Sequence, residues 1–282
     1  MHELTRRTVL RLGAGLAGAG ALDAILQLGL ATASGAPPDQ PTPSSAAATT
    51  TMLTGSFVSA ARGGIETNWA IAVPPGRHTH PLRPVIALHG RDMTAEGVMA
   101  MGVEAGLAEL AQAGYPPFAV VAVDGGNGWW HRRATGEDSG AMVLRELIPM
   151  LANRGLDTRR VSFIGWSMGG YGALLLGGAL GPTRTAAICA VAPALFTDYA
   201  EAIGERAFDG PADWFAYSVY GTPALSEIPL RIDCGAGDRF YDATKQFVAS
   251  LRRPPSGVSF VGGHDVAAWR EKLPRELGWL AT

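Results

Sequence analysis

Cysteine is nearly absent: Cys189 and Cys234 are the only two in 282 residues. A disulfide-stapled scaffold is therefore excluded. Each sits in an apolar run that reads as a strand, "AAICAVA" and "LRIDCGA". Side chains of central strands rarely meet the spacing a bridge needs, so two buried free thiols are expected, with a single Cys189–Cys234 bridge as the alternative in an exported protein. Histidine is scarce too, with six. No Cys/His pair has structural zinc spacing, so no metal site is expected. Charged residues make up 17 % of the chain and nearly cancel, leaving a formal net charge of −2. No basic stripe or long charge run appears, so no nucleic-acid partner is expected. A strong membrane anchor is missing as well: the apolar stretch 12–30 is rich in Gly and Ala and holds Asp23.

What is present begins with Thr5-Arg6-Arg7-Thr8-Val9-Leu10-Arg11, followed by that mild apolar stretch and then Ala31-Thr32-Ala33. A basic start, an apolar middle and a small-residue end read as an export signal over 1–33. The paired arginines point to the twin-arginine route. An uncleaved N-terminal helix is the alternative. No Cys follows the segment to carry a lipid, and no stable membrane insertion is expected after cleavage. The protein is thus expected to be secreted or associated with the cell envelope. Residues 34–51, mostly Pro, Ser, Thr and Ala, read as a disordered tether. Residues 52–282 are densely patterned and suit one α/β domain with a full core.

Within that domain, 53–60 and Ile65–Val73 alternate around Arg62-Gly63-Gly64, as a hairpin does. Buried-strand runs follow at Pro84–Leu88, 118–123, 161–164, 186–191, 230–234 and 258–261. Helical stretches are read at 95–113, 139–153, 171–180, 243–251 and 266–279, with 193–229 irregular and aromatic. This alternation predicts a mostly parallel sheet, an N-terminal antiparallel hairpin and helices on both faces. Right-handed crossovers place the strand C-terminal ends along one rim, where such sheets bind ligands.

Four strand ends on that rim carry polar groups. The first is His89-Gly90-Arg91-Asp92, and the second is Gly165-Trp166-Ser167-Met168-Gly169, between a strand and a small-residue helix. A sharp strand-to-helix turn strains its central residue and needs neighbours without bulk, which accounts for the two glycines. The third is Gly235-Ala236-Gly237-Asp238 and the fourth Gly262-Gly263-His264-Asp265. A serine hydroxyl is a weak nucleophile. It needs a base to take its proton, and the base needs an anion to orient it. Ser167, His264 and Asp238 can fill those roles. For the acid, Asp233, Asp242 and Asp265 compete; Asp238, in a glycine-flanked strand-end turn, is best placed, and Asp265 reads as a helix N-cap. Backbone N–H groups of Met168 and Arg91 are the expected oxyanion hole. His89 reads as a turn residue. Trp129 and Trp130, and the stretch Trp214-Phe215-Ala216-Tyr217, are read as lining the site or as core beneath loops. Arg132 and Arg133 either meet a negatively charged substrate or pair with acids such as Glu137 or Asp138.

"GWSMGGYGALLLG", "DGGNGWWHRRATGEDSGAMVLRELIPML", "IDCGAGDRFYDATKQF" and "GGHDVAAWREKLPRELGWL" resemble the esterase D family of α/β hydrolases. That group includes S-formylglutathione hydrolases, feruloyl and acetyl xylan esterases and the mycobacterial mycolyltransferases. The resemblance spans about residues 53–280. It implies the α/β-hydrolase fold and a serine esterase without a cofactor, with Ser167, Asp238 and His264 as triad and Arg91 and Met168 at the hole. The mycolyltransferases open the oxyanion loop with Asp-Gly and use a glutamate as triad acid. This chain has His89-Gly90 and Asp238 instead. The expected partner is a small-molecule, lipid or carbohydrate ester, cleaved with water as acceptor. Acyl transfer to a sugar hydroxyl and a non-catalytic binding protein on the same fold are the alternatives.

Overall fold

The computed structural model describes residues 50–282, so the expected export signal and nearly all of the expected tether lie outside the described residues. Two nine-residue strands, β1 (Thr51–Ser59) and β2 (Ile65–Val73), form the antiparallel hairpin, with Thr51 opposite Val73 and Ser59 opposite Ile65. The turn between them closes through Gly63 and Gly64, both at positive φ, which glycine adopts without strain. Six further strands follow: β3 (Pro84–Leu88), β4 (Ala119–Val123), β5 (Val161–Trp166), β6 (Thr185–Val191), β7 (Leu230–Asp233) and β8 (Gly257–Ser259). The sheet order is β1-β2-β4-β3-β5-β6-β7-β8. β2 runs antiparallel to β4, and the six strands from β4 to β8 are mutually parallel.

Every residue of β3, β4, β5 and β7 is buried, as expected of strands covered on both faces. The period of two divides them. Ile86, Leu88 and Phe163 face one apolar cluster, while Val85, Ala87 and Ile164 face the other. The first face is covered by α3 (Ser139–Met142), α4 (Ile148–Asn153), α5 (Met168–Leu180) and α8 (Tyr241–Ser250). The second is covered by α1 (Ala95–Met99), α2 (Val103–Gln112) and α9 (Val266–Leu280). The remaining helices are α6 (Tyr199–Ile203) and α7 (Pro211–Tyr217). No helix among the described residues is long and apolar enough to cross a membrane.

Three stretches depart from expectation. The helix read over 95–113 is two helices, broken at Gly102, which sits at φ 107. Residues 139–153 are helical throughout but pass through a π-turn at Val143–Leu147. Pro149 lies just beyond it and cannot donate to a carbonyl of the preceding turn, so the wider turn absorbs the missing bond. The stretch 193–229 is less irregular than expected, since it holds α6, α7 and a short 3₁₀ turn at Pro223–Ser226. Cys189 and Cys234 are buried free thiols, as expected.

Candidate active site

Ser167 stands between β5 and α5 at φ 55, ψ −117. A non-glycine residue there is strained, and the surroundings must hold it. They do so on both sides, since its N–H donates to the Val191 carbonyl on β6 at 3.0 Å and its own carbonyl accepts from Ala194 and Tyr171. The flanking glycines are required by close approach. A Cβ at Gly165 would stand 2.1 Å from the Gly169 carbonyl oxygen, and one at Gly169 only 1.9 Å from that of Leu88. The turn therefore presses the start of α5 directly onto the end of β3.

The other two strand ends meet at the same point. A Cβ at Gly235 would lie 1.6 Å from the Gly262 carbonyl oxygen, so the turn after β7 and the loop after β8 touch backbone to backbone. This contact brings Asp238 and His264 together. Asp238 Oδ2 lies 2.7 Å from His264 Nδ1, and His264 Nε2 lies 2.9 Å from Ser167 Oγ. Asp238 Oδ1 accepts the Phe240 N–H at 2.9 Å. The carboxylate can only accept, so Nδ1 carries the proton and Nε2 offers its lone pair to the serine hydroxyl. The Asp238 side chain is fully buried and the imidazole one-fifth exposed. Phe240 and Trp269, each with its ring centre 5.3 Å from that of His264, hold the imidazole from two sides.

The competing carboxylates are occupied or remote. Both oxygens of Asp233 accept from Arg231, at 2.7 and 2.9 Å. Asp265 caps α9 by accepting the Ala268 N–H, as expected. Asp242 is exposed in the first turn of α8. His89 is a turn residue. Its Nε2 accepts the Gly125 N–H at 2.9 Å, so Nδ1–H donates to the Gly90 carbonyl. Burial lowers its pKa from the ordinary 6.5, and no lone pair is left to act as a base.

Met168 opens α5, so its N–H is one of the unpaired donors at a helix start. Among the described residues the Arg91 N–H meets no backbone acceptor. Its loop lies against the elbow: a Cβ at Gly90 would stand 3.6 Å from that of Ser167. Asn127 braces the same loop by accepting the Asp92 N–H and donating to the Asp92 carboxylate.

Trp129 and Trp130 do not line the site. Trp129 is 2 % exposed and Trp130 fully buried. Trp130 fills the space left by Gly125 and Gly172 and meets His89 edge-on at 5.0 Å. Trp129 packs on Tyr171 and Phe196. Arg133 is not free for a substrate either. It binds Asp209 and the carbonyls of Arg206 and Ala207. Glu137 pairs instead with Arg62, and Asp138 caps α3. Of the 214–217 stretch, Phe215 is exposed, whereas Tyr217 stacks on His131 at 4.4 Å. A cavity of about 690 Å³ between the hairpin and α1 is lined by Asn68, Trp69, Met99 and Asp124, and none of Ser167, Asp238 or His264 borders it. Sequence reasoning missed Phe240 and Trp269 around the imidazole. Both lie within five residues of a triad member, but aromatic residues carry no periodic signal for that role.

No family model matches the chain, and no curated relative does. Solved structures do. A ferulic acid esterase superimposes at TM-score 0.70 with 18 % identity, covering 83 % of this chain and 98 % of its own. The fluorophosphonate-binding serine hydrolase F of Staphylococcus aureus, substrate bound, gives 0.69 at 18 % identity over 83 % and 99 %. An S-formylglutathione hydrolase from Agrobacterium tumefaciens gives 0.66 at 21 % identity over 82 % and 95 %. The fold is that of the α/β hydrolases.

Proposed function

We propose that this chain is a serine carboxylic ester hydrolase working through an acyl-enzyme on Ser167. The observation that carries the reading is the unbroken hydrogen-bonded line from Ser167 Oγ through His264 to Asp238. His264 Nε2 takes the hydroxyl proton as Oγ attacks the ester carbonyl. Asp238 remains ionised, fixes the tautomer and stabilises the imidazolium. The N–H groups of Met168 and Arg91 receive the developing oxyanion. His264 then returns the proton to the leaving alkoxide, and the acyl group stays on Ser167. A water, deprotonated by the same imidazole, attacks the acyl-enzyme; the Oγ–acyl bond then breaks, His264 returns the proton to Ser167 Oγ, and the acid is released. This chemistry calls on no cofactor.

Esterases among the similar structures support an ester substrate. We assign short to medium acyl esters. The 193–229 stretch, which would have to cover a very long acyl chain, carries Asp198, Glu201, Glu205, Arg206, Asp209 and Asp213, a poor lining for one. Water is the main acceptor, because transfer to another alcohol demands a bound, oriented hydroxyl and a shielded acyl-enzyme. The test supplies aryl esters of increasing acyl length with a sugar such as trehalose and quantifies products by mass spectrometry. Free acid should dominate, with turnover falling for long chains. Mostly acylated sugar at modest acceptor concentration would overturn the hydrolase in favour of a transferase.

A further inference from the structure

We propose that Glu205 is a positioning residue of this site, tying the loop that carries the Arg91 N–H to the turn that carries Asp238. The inference rests on the ester-hydrolase reading above.

The two segments belong to different strand ends, after β3 and after β7, and Glu205 comes from neither. It follows α6, and one carboxylate serves two guanidinium groups. Oε2 lies 2.8 Å from Arg91 Nη1, and Oε1 lies 2.5 Å from Arg239 Nη1. The Glu205 carbonyl also accepts from Arg91 at 3.3 Å. The carboxylate is 15 % exposed, whereas Arg91 and Arg239 are 42 % and 56 % exposed. The acidic partner is therefore the more buried end of the bridge and the arginines are its exposed ends. Among the described residues, the other acid paired with Arg91 is its neighbour Asp92, at 3.8 Å and 76 % exposed, which holds it far less firmly.

Both arginines adjoin the reacting groups. Arg91 carries an oxyanion-hole N–H in its own backbone, on a loop that Asn127 also braces through Asp92. Arg239 follows Asp238, and its guanidinium lies 4.6 Å over the Phe240 ring, whose centre is 5.3 Å from that of His264. A shift of Arg239 is thus felt at the imidazole through one aromatic ring. The bridge has a fixed anchorage to pull against. Just beyond it, Arg133 grips the carbonyls of Arg206 and Ala207 and the Asp209 carboxylate, and His131 meets the Ala207 carbonyl at 2.9 Å.

The experiment compares wild type with E205Q, E205D, R239Q and the E205Q/R239Q double variant. It measures steady-state cleavage of a neutral aryl acetate and the rate of fluorophosphonate labelling at Ser167, at low salt and in about 1 M NaCl. E205Q should lower kcat and the labelling rate roughly tenfold while KM moves less than about twofold, since a small displacement of transition-state groups costs rate before it costs binding. E205D should recover part of the loss. High salt should slow wild type and leave E205Q unchanged, and the E205Q/R239Q double variant should be no worse than the poorer single variant. An E205Q or R239Q protein with a lower melting temperature but unchanged kcat and labelling would show a purely structural strap and overturn the proposal. A wild type that does not label at Ser167 would remove the ester-hydrolase reading and this inference with it. A labelled wild type with kinetically unaltered variants would remove only the inference.

Discussion

Asp238 reaches His264 across the fold and Asp265 follows it in sequence, and the structure gives them different work. Asp238 bonds Nδ1, while Asp265 caps a helix. D238N should lower turnover by as much as ~10⁴, because an amide in that place favours the wrong imidazole tautomer. D265A should instead cost about 1 kcal/mol of stability through loss of the cap, with turnover within a few-fold of wild type. Steady-state kinetics and denaturant titration of the two pure variants decide it; a crippling D265A with a mild D238N would reverse the assignment. At this scale much was legible. Three polar residues each followed glycines at a strand end, and chain order left few candidates. The tryptophan pair was not legible. Trp129 and Trp130 follow a turn in sequence, but Trp130 is buried in space vacated by Gly172 on α5, some forty residues away, and Trp129 against Tyr171 and Phe196. Arg133 pairs with an acid, as one of its two readings has it, but the acid is hidden from the sequence for the same reason, since Asp209 lies 76 residues on.

Strand periodicity located the elements well, and β3 was read to the residue. Helix interiors were read less well because their interruptions serve tertiary contacts. The π-turn at Val143–Leu147 carries Glu146, whose carboxylate accepts from Ser59 Oγ at 2.5 Å and from the Ala61 N–H at 2.8 Å. This pins the turn of the β1–β2 hairpin to the helix across 85 residues of sequence. E146A leaves a part-buried N–H without its acceptor and should destabilise the protein by about 2 kcal/mol. Urea unfolding followed by tryptophan fluorescence measures the change; a variant as stable as wild type would show that the hairpin needs no such anchor. The order of strands within the sheet was also beyond the pattern, since the placement of β4 between β2 and β3 is a nonlocal choice that alternation alone does not encode.

Over the whole molecule, two buried groups oppose each other in pH. Burial lowers the pKa of His89 below 6.5, so its contribution is complete above that value and is lost as pH falls through the lower folded value. Glu276 is fully buried, and burial together with the Asp233 charge raises its pKa from 4.5 to about 8. Its protonated form is the one the fold favours, so its contribution is complete below 4.5 and is lost as pH rises toward 8. Replacing the acid by its neutral isostere should remove that alkaline arm. Unfolding free energies of E276Q and wild type, measured from pH 5 to 8, should diverge in favour of the variant by up to about 1.4 kcal/mol per pH unit. Parallel curves would show that Glu276 ionises in the folded protein as it does in water. No signal in the sequence marks Glu276, because a glutamate on an amphipathic helix reads as a solvated residue until β6 and β7 are packed against it.

The mechanism requires Ser167 as the nucleophile, and covalent labelling tests that most directly. The purified protein is treated with a fluorophosphonate, digested and mapped by mass spectrometry, with S167A run beside it. Stoichiometric modification of Ser167, and none of S167A at an unchanged melting temperature, is the expected result. Modification of another residue, or an S167A protein that still labels and still cleaves esters, would contradict it.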